Sequence, residues 1–74
     1  MELSWSWHAL DRAQQMGLDP LAVESAVRCY THSYPNPPHH PSGRVYVAGS
    51  IAVAVADDGT IMTILWAGRT GRAA

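Results

Sequence analysis

The chain has 74 residues, a net charge of −1 and a single cysteine. A domain this small buries only about 60–65% of the surface of its unfolded chain, and no disulfide can supplement that core, so dimerisation or a tight partner is expected. The weak acidity excludes a global field that would draw the chain to nucleic acid. Cys29 alone, with no secretory leader, points to a reducing, cytosolic setting, and the apolar run from Val45 to Val55 is too short to cross a bilayer. All five basic residues are arginine, and residues 1–74 read as one domain with mobile ends at 1–4 and 67–74.

Glu2-Leu3-Ser4 is too short to predict a strand with confidence. The first predicted helix runs from about residue 5 to 16, with Ser4 or Ser6 as its cap and Gly17 as its left-handed stop. Trp7, Leu10, Ala13 and Met16 recur at three-residue steps and predict its buried stripe. His8 and Arg12 sit four residues apart on another face. Such a pair can bind a phosphate and move a proton near neutral pH, or it can be an ordinary solvated face.

The second predicted helix starts at Asp19, an N-cap, followed by Pro20 in the first helical position. Leu18 and Val23 form a hydrophobic staple, and Val23, Ala26, Val27 and Tyr30 line one side. With Gly17-Leu18-Asp19 as the link, the two helices predict an αα-hairpin.

Residues 31–43 hold four prolines and read as an extended loop. His32, His39 and His40 fall within it, but they lack cysteine or carboxylate companions at ligand spacing, so no metal or other cofactor is expected. Three strands follow, at about 44–48, 51–57 and 60–66. Gly49-Ser50 suits a type II′ turn and Asp58-Gly59 a type I′ turn. That register sets Ala48 opposite Ile51, Tyr46 opposite Val53, Val53 opposite Ile64 and Asp57 opposite Thr60. One face then carries Tyr46, Ile51, Val53, Val55, Met62, Ile64 and Trp66, and the other Val45, Val47, Ala52, Ala54, Ala56, Ile61, Thr63 and Leu65. Neither is polar, so the face the helices leave bare is a candidate interface. The fold class is α+β: an αα-hairpin on a three- to four-stranded antiparallel meander.

Ser-x-His-Ala-x-x-Arg at the start, Gly-Arg-x-Tyr in the first strand and Ile-x-Thr-Ile in the last form a pattern over about residues 5–66. It resembles a bacterial and phage domain family of unknown function grouped with RelE-like and colicin-type RNase toxins, which share an αα plus antiparallel-sheet fold. The matching residues are Ser6, His8, Ala9, Arg12, Gly43, Arg44, Tyr46 and Thr63. The resemblance implies a metal-independent endoribonuclease in which the RNA 2′-hydroxyl is the nucleophile. His8 would be the general acid/base or would orient the phosphate; Arg12 and Arg44 would neutralise it; Thr63 would donate a hydrogen bond to it; Tyr46 would stack on a base.

Each residue also has a plainer role open to it. Arg12 can pair with Asp11 or Glu24, Arg44 can guard a strand edge, Tyr46 can belong to the core, and Thr63 can simply favour a strand. The chain departs from the family in its charge and in Met16-Gly17-Leu18, where the family has Arg-Gly-Ile. The register also sets Arg44 and Thr63 on opposite faces of the sheet.

Two functions follow as expectations. The first is a toxin-like cytoplasmic RNase, acting on RNA, neutralised by a cognate antitoxin and able to dimerise. The second is a non-catalytic phage or mobile-element protein that inhibits a host protein through the bare sheet face.

Overall fold

A computed structural model describes residues 2–38 and 42–67. His39, His40 and the arginine-bearing segment 68–74 lie outside the described residues. The chain is α+β, with two helices on one side of a five-stranded mixed sheet. Its elements are β1 (Ser4–Trp5), α1 (Trp7–Met16), α2 (Pro20–Arg28), β2 (His32–Pro35), β3 (Gly43–Ala48), β4 (Ile51–Ala56) and β5 (Thr60–Trp66). The strand order is β1-β5-β4-β3-β2, and β1 runs parallel to β5 while the other neighbours are antiparallel.

Two strands were not expected. The proline-rich stretch contributes β2, paired from His32↔Val47 to Pro35↔Arg44. Pro35 is tolerated because β2 is an edge strand and ends there. At the other edge, β1 places Ser4 against Thr60 and Trp5 against Ile61, and Leu3 packs on the core. The sheet is therefore wider than the predicted meander, and a strand precedes the helices.

Local signals account for the helix ends. Ser6 caps α1 by accepting from the Ala9 amide, and Gly17 closes it at φ 70°. Asp19 caps α2 by accepting from Leu21, with Pro20 next. The stripe of α1 differs from expectation: Trp7 is 87% exposed and Leu10 also faces solvent, while Ala9 and Ala13 are buried. Two alanines let the helix approach closely, and Ser6 fixes its rotation by donating its own amide to Ile61 O. In α2, Val23, Ala26 and Val27 are buried as expected, whereas Tyr30 falls beyond the helix and lies half-exposed. α1 lies against β5 and α2 against β3 and β4, so each helix packs mainly on the sheet and less on the other helix.

The helices cover the face that carries Ile51, Val53, Val55 and Ile64, the larger side chains. The expected pairs Ala48↔Ile51, Tyr46↔Val53 and Val53↔Ile64 form. The β4–β5 turn is different. Type I′ needs positive φ at both central residues, but among the described residues none other than glycine has positive φ, and Asp58 does not. Asp58 instead accepts from the Thr60 amide, and Gly59 alone is left-handed at φ 92°. Val55 consequently meets Ile61, and a bulge at Met62 restores the expected register at Ala54↔Thr63. The bulge turns Ile61 into the core, where it is fully buried, rather than onto the outer face.

Candidate functional site

The site forms where β1 stops. β1 pairs with β5 only at Thr60 and Ile61, so the rest of β5 would be a bare edge with unpaired carbonyls. α1 runs alongside and completes it with side chains. Ser6 Oγ donates to Met62 O at 3.2 Å, and Arg12 Nε donates to Ile64 O at 3.3 Å. Between them, His8 Nε2 and Thr63 Oγ1 are 3.1 Å apart and share a hydrogen bond. The i, i+4 spacing of His8 and Arg12 thus matches successive positions along the strand, and Thr63, paired with Ala54 as the turn register predicts, meets the imidazole.

His8 is exposed and Arg12 half-buried. Arg12 Nη1 donates to Gln15 Oε1 at 3.4 Å, and Gln15 in turn donates to Asp11 at 2.8 Å. Of the five N–H donors of a guanidinium, two are thus directed at named protein oxygens. Glu24, a carboxylate considered for Arg12, instead accepts from Trp5 Nε1 at 2.9 Å and pairs with Arg28 at 3.6 Å. The arrangement joins a solvent-facing imidazole, a hydroxyl and a fixed guanidinium on one edge. It can take up and return a proton beside an anion.

Arg44 and Tyr46 lie elsewhere. Arg44 pairs with Val55 on the helix-covered side, across β4 from Thr63, and its Nε donates to Ser33 Oγ at 3.1 Å. Tyr46 packs on the core with its ring 5.0 Å from that of Tyr30, beside a hollow of about 430 Å³ lined by Leu3, Val27, Arg28 and both tyrosines. His8, Arg12 and Thr63 come together; Arg44 and Tyr46 do not join them. Gly43 of the same motif has a structural reason, since a Cβ there would lie 2.8 Å from Ala56 Cα and collide with Val55 O.

The outer face is uncharged along β3 and β4, which contribute Val45, Val47, Ala52 and Ala54. Two hollows open on it. One, about 210 Å³, is lined by Tyr34, Asn36, Pro37, Met62, Thr63 and Leu65 over a floor of Val45 and Ala54. The other, about 270 Å³, lies between His32, Val47, Ala52 and Trp66, with Tyr34 and Leu65 separating it from the first. Sequence reasoning missed Tyr34 because it took 31–43 as loop; the signal was the aromatic at the third place of the His32-Ser33-Tyr34 alternation.

Among the described residues no helix is long and apolar enough to cross a membrane. Compared with protein-family models, curated proteins and solved structures, the chain matches none.

Proposed function

We infer that the protein is a small, metal-independent RNase-like toxin acting through His8, Arg12 and Thr63. The observation that carries this reading is the 3.1 Å contact of His8 with Thr63 beside the anchored guanidinium of Arg12. The His8 imidazole accepts the proton of an RNA 2′-hydroxyl. The 2′-oxygen attacks phosphorus, the bond to the 5′-oxygen breaks, and the imidazolium returns its proton to that oxygen. The products are a 2′,3′-cyclic phosphate and a 5′-hydroxyl, and no co-reactant is consumed. Arg12 stabilises charge on the pentavalent phosphorus, and Thr63 positions the imidazole. Arg44, bonded to Ser33, stays outside this scheme. A cognate antitoxin is the expected partner of such a toxin.

The test is growth and total RNA after induced expression of the wild type, His8→Ala and Arg12→Ala. Arrest with fragmented RNA in the wild type alone supports the reading. Intact RNA in all three cultures removes it.

A second reading is favoured by the uncharged outer face and the hollow around Ala52 and Trp66. In it the protein is a non-catalytic binder that inhibits a host protein, and arrest survives both substitutions with RNA intact.

A further inference from the structure

Thr63 belongs to two places at once. Its hydroxyl bonds His8 at the β5 edge, and its side chain lines the smaller hollow on the outer face. A phosphate at His8 and Arg12 is therefore next to an apolar recess in the sheet. We propose that this recess, bounded by Tyr34, Asn36, Pro37, Met62, Thr63 and Leu65, receives one nucleobase of single-stranded RNA flanking the phosphate held at His8 and Arg12. The inference rests on the RNase-like reading and supplies the base-binding residue that Tyr46 was expected to be.

Size, charge and chemistry agree on that occupant. The recess is about 210 Å³, below the roughly 300–1,000 Å³ of sites for drug-sized ligands. Among the described residues no charged side chain lines it, so it suits a neutral ring rather than a second phosphate. Tyr34 is half-exposed and offers an aromatic surface at the rim. Pro37, Met62 and Leu65 supply apolar walls, and the small Ala54 leaves depth in the floor. Base–aromatic stacking tolerates any base, so little sequence preference is expected from Tyr34.

The test is binding of a short, fluorescent 2′-O-methyl oligoribonucleotide, which lacks the nucleophile and stays intact. Removing one aromatic partner of a stacked base weakens binding roughly 5- to 150-fold. Tyr34→Ala is expected to do so, and Ala54→Leu, which fills the floor, to have a similar effect; Tyr34→Phe is expected to bind like the wild type. An oligonucleotide with an abasic site at the docked position should bind the wild type as weakly as the intact one binds Tyr34→Ala. Melting temperatures for each variant show that the fold is retained, since Tyr34 is surface-exposed. If Arg12→Ala weakens binding while Tyr34→Ala and Ala54→Leu do not, the phosphate site stands and the base recess is overturned. If the wild type binds no RNA, both fall, and the recess belongs to a protein partner.

Discussion

Replacing Ile61 and Met62 one at a time by alanine tests the bulge that turns Ile61 into the core. A regular hairpin closed by a type I′ turn would point Met62 inward and Ile61 outward. The bulged strand does the reverse: Ile61 is 0% exposed against the helices, and Met62 is partly exposed at the outer recess. Truncating a fully buried isoleucine costs about 2–5 kcal/mol, because the cavity adds to the lost transfer energy. A chain of 74 residues has a total stability of about 4–11 kcal/mol. Ile61→Ala therefore removes a large share of it, and each kcal/mol lowers Tm by about 4–8 °C in a domain of this size. Met62→Ala should cost about 1 kcal/mol, nearer a surface change than a core one. Urea denaturation followed by far-ultraviolet circular dichroism measures both. Equal losses, or a greater loss for Met62→Ala, would refute the bulged register and with it the burial of Ile61 under the helices.

Two further outcomes follow from the fold and its pH response. Gly43→Ala should unfold the protein or shift β3 from β4, because the added carbon meets backbone atoms of Val55 and Ala56; a wild-type Tm would contradict the close approach. Hydrogen bonds from the Thr60 hydroxyl and, second, from its backbone amide hold Asp58 below the ordinary carboxylate value. Its stabilising effect is then complete above the unfolded value and lost as pH falls through the lower folded value. The stability lead of the wild type over Asp58→Asn should accordingly narrow on acidification; a lead that widens reverses the sign of this account.

Much of the fold was legible where one local rule acts alone. Asp19-Pro20 and Gly17 fixed helix ends, and the two-residue turn at Gly49-Ser50 fixed the pairing of Tyr46 with Val53. Legibility failed where two rules compete. Asp58-Gly59 suits a type I′ turn by residue type, yet the Asp58 carboxylate binds forward to Thr60 and only Gly59 turns left-handed. Prolines argued against a strand at 32–35, yet an edge position tolerates them. Large side chains argued that Trp7 and Leu10 are buried, yet close packing through Ala9 and Ala13 sets the rotation of α1. Of the candidate site, the i, i+4 pair His8 and Arg12 was visible at once. Tyr34, which lines the outer recess with Thr63, was hidden by the missed strand, and the separation of Arg44 from Thr63 followed from register.

The most direct test of the central claim uses purified protein and a single-stranded RNA with a chelator present, and analyses the new ends. The wild type is predicted to leave 2′,3′-cyclic phosphates and 5′-hydroxyls. His8→Ala, with an unchanged Tm, is predicted to cut about 10²–10⁴-fold more slowly, the usual worth of a general acid/base. No cleavage by the wild type, or cleavage that His8→Ala retains in full, would contradict a catalytic role for the β5 edge.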